Sequence, residues 1–206
     1  MARPKERTPE LRERVLRVAV AMLEDGGVVG FTARSVASHA ETSTPALYEL
    51  FGDKGGLVRE VFFEGFRMLR RRLDELDPTN DARADLVRVI EVVRSFVRQN
   101  PVLAEVMFSR PFADFDPGPD EAAAGRSVRE FIIGRVRRCV DDGVIVGNET
   151  DVAHVLLALT QGLVGQENAG WLGTSKASVD RRWSLAVCAT LDGLGPPGTS
   201  RRSEHG

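Results

Sequence analysis

The stretch from Phe31 to Lys54, FTARSVASHAETSTPALYELFGDK, constrains this chain more than any other, because it carries two helix-start signals a short turn apart. Thr32 has the side chain to cap a first helix. Thr44 can cap a second, whose first helical residue is then Pro45, where a missing N–H costs nothing. Phe31 before the first cap and Val36 after it fit a hydrophobic staple. Val36, Ala37, Ala40, Leu47 and Phe51 recur at helical spacing, which packs the two helices together and leaves the opposite face of the second one free. This is the layout of a helix-turn-helix.

The free face carries Thr44, Ala46, Tyr48 and Glu49, with Thr42 and Ser43 in the turn ahead of it. Small hydroxyls and a tyrosine suit phosphates and base edges in a DNA major groove, which is about 12 Å wide and admits a helix. An ordinary helical hairpin with a polar outer face has the same spacing, so spacing alone does not separate the two readings.

Residue types go further. Thr32, Arg34, Val36, Ala37, Ala40, Pro45, Leu47, Tyr48, Phe51 and Lys54, in the pattern FTxRxVAxxA followed by PALYxxFxxK, resemble the DNA-binding domain of the TetR family of transcriptional regulators. A combination of spaced types is more specific than any single motif. The resemblance implies that Tyr48 and Lys54 hold phosphates, that Arg34 reaches phosphate or base, and that Thr44, Pro45 and Ala46 face the groove. With Thr32 at the first cap and Thr42, Ser43 and Glu49 on the exposed side, these residues make up the candidate DNA-contacting set. The chain departs from the family pattern at Glu41 and Thr42, where a glycine and then an apolar residue are usual. Gly55 and Gly56 open the next helix in place of better helix formers, which predicts a loose hinge there.

Charge speaks mildly against a nucleic-acid partner. The net charge is −2, and basic and acidic side chains balance over residues 1–54. Placement is uneven, however: Arg3, Lys5 and Arg7 precede the first helix, and Arg12, Arg14 and Arg17 lie on it, an arrangement that would give a basic contact face with salt-sensitive binding. With 206 residues, 42% hydrophobic and 28% charged, the chain has the make-up of an ordinary soluble protein with a sizeable core. No apolar run is long enough to span a bilayer and the start MARPKERTPE has no apolar signal core, so a cytoplasmic location without membrane contact is expected. Cys139 and Cys188 read as small core residues. His39, His154 and His205 are too scattered for a metal site, and no cofactor motif is present.

Apolar stripes of helical period run through the rest, with no strand-like alternation, so the fold class is all-α. The first helix is expected over about residues 9–25, capped by Thr8 and ended by Gly26 and Gly27, and residues 1–7 read as a basic arm. Further helices are expected over about 53–76 with Asp53 as cap, 82–100, 101–108, 120–142, 150–169 and 178–194. Phe112 and Phe115 sit in a proline-rich loop that pins them to the core or closes a cavity. Arg135, Arg137 and Arg138 read mainly as solvated, although one turned inward would suit an anionic ligand. This divides the chain into a helix-turn-helix head over 1–54, a helical body over 55–194 and a disordered tail over 195–206.

The last two helices are apolar on more than one face, and Ala158, Gly162, Gly165 and Ala186 permit close approach. No helix remains to cover them, so the pair is expected to meet its own copy in a two-fold four-helix interface. The segment ALTQGLVGQENAG also resembles a region of one TetR subgroup in which a His-Gly pair opens a Leu-Val run, with Gln161 standing in the place of that histidine.

No phosphate-cradling glycine loop and no Ser, His and Asp set is present, although Glu64, Glu91 and Glu167 would serve an enzyme if they converged in a cavity. A helical enzyme or a scaffold indifferent to DNA is the alternative reading. The leading expectation is a homodimeric, non-enzymatic regulator, by family likeness a repressor, that binds a double-stranded operator and releases it when a small apolar effector binds. Aromatic helical faces suggest Phe62, Phe66, Phe96, Met107, Phe131, Leu157, Gln161 and Trp171 as the effector site.

Overall fold

A computed structural model describes residues 9–26, 30–108 and 119–197. Among them are nine helices and no strand, as the periodicity requires: α1 Pro9–Gly26, α2 Ala33–His39, α3 Thr44–Phe51, α4 Lys54–Asp74, α5 Ala82–Gln99, α6 Pro101–Phe108, α7 Pro119–Asp141, α8 Glu149–Asn168 and α9 Lys176–Gly193. The expected basic arm, the Thr8 cap, Gly27, Phe112, Phe115 and residues 198–206 of the expected tail lie outside the described residues.

The ends of the helices follow local chemistry. Asn148 accepts from the N–H groups of Thr150 and Asp151, and Ser175 forms a reciprocal capping pair with Ser178, so α8 and α9 each start one or two residues earlier than their apolar stripes suggest. Gly143, with φ +67°, ends the turn after α7 in a conformation that favours glycine.

The chain divides into two compact units. The first comprises residues 1–69 and 99–126. Its described core is built from Val15, Ala19, Phe31, Val36, Leu47 and Leu57, all at most 2% exposed. Helix α1 packs on α2 and on α6, and α2 packs on α3. Farther along, α4 and α6 cross closely: a Cβ placed on Gly65 would lie 2.5 Å from Met107 Sδ and 3.2 Å from Leu103 Cδ1, so glycine is what admits the methionine. Phe62, Phe66 and Phe108 meet edge to face beside this crossing, with ring centroids 4.9 Å and 5.9 Å apart.

The second unit comprises residues 70–98 and 127–206. Leu73, Leu86, Phe96, Val136, Cys139, Ile145, Leu156 and Leu191 are buried in it. Two polar clusters brace this core. Asp85, 3% exposed, accepts from Thr79 N–H and Thr79 Oγ1 at 2.8 Å each and from Arg138 Nη1 at 2.7 Å. Arg138 also donates to the Thr79 carbonyl, and Arg135 donates to the Leu76 carbonyl at 2.6 Å, so the loop between α4 and α5 is fastened to α7. Burial alone would raise the Asp85 pKa, but the Thr79 hydrogen bonds and the Arg138 guanidinium together hold it below the ordinary value. Among the body arginines, Arg135 and Arg138 are therefore occupied by the protein itself, and neither is held ready for an anion.

In the second cluster, Arg94 on α5 makes a bidentate pair with Glu167 on α8, both contacts 2.9 Å, and reaches Asp180 on α9 at 2.9 Å. Trp183 Nε1 donates to Glu167 at 2.7 Å, while its ring lies under the Arg94 guanidinium at 4.6 Å. Desolvation opposes the charge on Glu167, and the Arg94 and Trp183 contacts outweigh it and lower its pKa. Cys139 is buried as expected, with Sγ 3.1 Å from the Ala82 carbonyl oxygen and a pKa pushed up to about 11 by burial, which makes it inert. Cys188 is the exception to the core reading, because it is exposed on α9.

Candidate nucleic-acid interface

Helices α2 and α3 join through a turn with defined hydrogen bonding. Thr32 caps α2 by accepting from Ser35 N–H at 3.1 Å. At the other end, Glu41 N–H donates to Ser38 O at 3.2 Å and Thr42 N–H donates to Ala37 O at 2.9 Å, the double closure that ends a helix on a left-handed residue. That residue is Glu41, with φ 51°.

The cap of α3 is Ser43, one residue earlier than expected: its Oγ accepts from Ala46 N–H at 3.2 Å, so Thr44 and Pro45 form the first helical positions. Both hydroxyl residues qualify by type, and the reach of Ser43 to the third N–H decides between them. Leu47 is fully buried and Phe51 nearly so, while Tyr48 is 43% exposed. Pro45 and Glu49 are exposed with it, and Thr44 and Ala46 are half-buried. Thr32, Arg34 and Ser43 are also exposed, and Thr42 is half-buried. The sequence-derived contact set thus falls at the turn, on the outer side of α3 and on the exposed positions of α2.

Two basic residues that looked available for DNA are used internally. Arg14 Nε donates to the Ala40 carbonyl at 3.0 Å, at the end of α2. Arg12 reaches the Leu50 carbonyl in the last turn of α3 at 3.4 Å and pairs with Glu60 at 2.6 Å, its guanidinium over the Phe51 ring at 5.1 Å. Each places a cation against the end of a helix whose carbonyls need one. Periodicity could not reveal this, since both contacts join residues far apart in sequence.

The corner from α3 into α4 is closely packed. Gly52, at φ +80°, ends α3 with its N–H on Tyr48 O at 2.8 Å, and Asp53 Oδ1 accepts from Gly56 N–H at 2.7 Å, starting α4 at Lys54. A Cβ on Gly56 would overlap the Phe51 carbonyl oxygen, so that glycine is there for close approach rather than for freedom. Lys54 stands exposed at this corner.

The residues suggested for an effector divide between the units. Phe62, Phe66 and Met107 belong to the aromatic and sulfur cluster of the first unit. In the second unit Phe96 is fully buried, and the half-buried Phe131 lies beneath Arg70 and Arg135 at 5.0 Å and 4.9 Å. Leu157 lines a small apolar crevice with Leu86, Val89, Ile90, Val93 and Ile132. Gln161 and Trp171 are not part of that lining, and Trp171 is 77% exposed. Glu64 bonds to Arg67 at 2.8 Å and Glu167 to Arg94, so both carboxylates are partnered within their own units.

Residues 15–61 match the family model described as bacterial regulatory proteins, tetR family, and residues 86–190 match the one described as tetracyclin repressor-like, C-terminal domain. This chain belongs to the TetR family of transcriptional regulators. Its fold is that of solved relatives. A protein of unknown function from Rhodococcus sp. RHA1 is similar at TM-score 0.80 and 24% identity, over 95% of this chain and 100% of the other. The TetR-family regulator PfmR from Thermus thermophilus is similar at TM-score 0.63 and 17% identity, over 89% and 100%. A TetR variant from Acinetobacter baumannii AYE, solved in complex with minocycline, gives 0.61 and 17%, over 87% and 93%. At these identities the likeness is one of fold. No curated protein matches the chain. As a TetR-family member the chain is a regulator built on an N-terminal helix-turn-helix. No helix among the described residues is long and apolar enough to cross a membrane.

Proposed function

We propose that this TetR-family regulator is a homodimeric repressor that binds a palindromic operator through α3 and is released by a small apolar molecule. The observation that carries the reading is the two-sidedness of α3: Leu47 and Phe51 are sealed against the head while Tyr48 on the same helix is 43% exposed. A helix anchored in this way presents its N-terminal residues to base edges and its flank to phosphates. Tyr48, Lys54 and Arg34 then hold the backbone, with Thr32, Thr42, Ser43 and Glu49 at the rim, and Thr44, Pro45 and Ala46 face the groove.

Two such heads enter successive major grooves when they stand about 34–36 Å apart. The second copy in this reading covers α8 and α9. Val155 and Leu185 are 49% and 69% exposed, and a Cβ on Gly162 or Gly165 would meet nothing within 4 Å among the described residues, so the close approach those glycines permit is left for a partner. Gln161 and Trp171, which stay outside the crevice lining, fall to the same partner-facing side of the reading.

The effector enters where apolar side chains already surround unfilled space. The crevice beside Leu157 is about 10 Å³, the size of one water, and its buried hydroxyl, Thr160, is satisfied by the Leu156 carbonyl at 2.7 Å. Such a site offers an apolar ligand contact area and little else, and it must widen to accept one. Release therefore requires a ligand that binds the widened form more tightly, because equal affinity for both forms shifts nothing.

Footprinting on the DNA upstream of the coding region tests the reading. Wild type should protect a two-fold symmetric site. Tyr48→Phe and Lys54→Ala should weaken binding to all sequences, and substitutions at Thr44 or Ala46 should change which sequence is preferred. Wild-type affinity in both classes of variant would refute the assignment.

A further inference from the structure

Among the described residues, Glu41 is the one non-glycine with a positive φ. The hydrogen bonds that end α2 demand this conformation, and any side chain beyond hydrogen is disfavoured in it. The carboxylate is exposed and has no hydrogen-bond or ion-pair partner among the described residues. Its place is distinctive: two residues before Ser43, the cap of α3, at the end of the helix that enters the groove. A negative charge there meets a polyanion within a Debye length. Arg12 is paired with Glu60, and Arg14, held on the adjacent Ala40 carbonyl, offsets only part of that charge.

We propose that Glu41 is a specificity-determining residue of the DNA-contacting head, repelling duplexes docked by charge alone and accepting, in the operator, an amino hydrogen from a cytosine or adenine edge. The inference rests on the DNA-binding reading above. Charge supplies nearly all of non-specific binding, so a carboxylate at the leading edge weakens it everywhere. Only a sequence that places an amino donor opposite Glu41 recovers the loss, because cytosine N4 and adenine N6 are the major-groove donors while guanine O6, guanine N7 and thymine O4 are acceptors.

Glu41→Ala removes the charge and keeps the strained backbone, whereas Glu41→Gly removes both. Dissociation constants are measured by fluorescence anisotropy for the footprinted operator, its single base-pair variants and a random-sequence duplex, across a salt series. Both variants should bind the random duplex more tightly by about fivefold to tenfold and with a salt slope steeper by roughly one per head, while operator affinity changes by less than about threefold. Wild type should prefer cytosine or adenine at one half-site position where the variants show no preference. Equal tightening on operator and random DNA, tightening in Glu41→Gly alone, or unchanged binding in both variants would each overturn the proposal. Wild type that binds no duplex would overturn the DNA-binding reading as well, so the two failures are told apart.

Discussion

Arg14 on α1 donates its Nε to the carbonyl oxygen of Ala40, the C-cap residue of α2, at 3.0 Å. A cation is thereby set against the negative end of a helix of only seven residues, one too short to be stable without such support. Arg14→Ala should lower the unfolding free energy by about 1.5–3 kcal/mol, the usual contribution of a hydrogen bond involving a charged group. Arg17→Ala, on the exposed side of α1, should stay within about 0.5 kcal/mol. Urea titration followed by circular dichroism makes the comparison, and equal effects would mean that the Arg14 contact contributes nothing.

Backbone strain at Glu41 has its own signature in stability, separate from any effect on DNA. Glu41→Gly relieves a left-handed L-residue at some cost in unfolded-state entropy, for a net gain of up to about 1 kcal/mol and a Tm rise of about 2–4 °C. Glu41→Ala keeps the strain and should show no such rise. Calorimetry that finds the glycine variant less stable than wild type would contradict the φ of 51° as a source of strain.

Asp85 is held ionised by Thr79 and Arg138, so its pKa lies below the ordinary value of 3.8. The unfolded chain therefore takes up a proton at a higher pH than the folded one. The contribution is complete above the unfolded value and is lost as pH falls through the folded value, so stability should decline with acid below about pH 4. Asp85→Asn should cost about 3 kcal/mol at neutral pH, because it leaves Arg138, Arg88 and Arg135 facing an uncharged partner, and it should flatten the acid limb of the stability profile. An acid limb as steep as in wild type would assign that dependence to other carboxylates, Glu167 and Asp180 first among them.

Much of the first unit can be read from the chain, because its signals are local. Thr32 is both the right type and in the right place, and the apolar positions Val36, Ala37, Ala40, Leu47 and Phe51 are all buried. Residue type puts the cap of α3 one position late, because Ser43 and Thr44 are chemically equivalent until the backbone chooses. Tertiary partners are illegible: nothing near Arg12, Arg14 or Arg138 in sequence indicates Glu60, Ala40 or Asp85. For the same reason a periodic aromatic indicates which way it faces but not whether the space beside it is filled. Phe96 is fully buried, and Trp171, grouped with it by type, is 77% exposed.

Gly56→Ala tests the corner between α3 and α4. Its methyl group would strike the carbonyl oxygen of Phe51, a backbone atom held by α3 itself, and no rotamer change relieves that. The head should lose several kcal/mol, on the order of the largest single-site effects, or fail to fold, as thermal unfolding would show. The corresponding change at Gly55, where the nearest atom is a side-chain oxygen of Asp53 at 3.1 Å, should be far milder. Equal losses at the two positions would contradict the close approach.

At this junction backbone meets backbone: the first turn of α4 rests on the last carbonyl of α3 with no side chain between them. What looks like slack in the chain, a glycine where a helix former would be usual, is what lets the two helices touch, so the bend between the anchored α3 and the rod that follows it is set by contact.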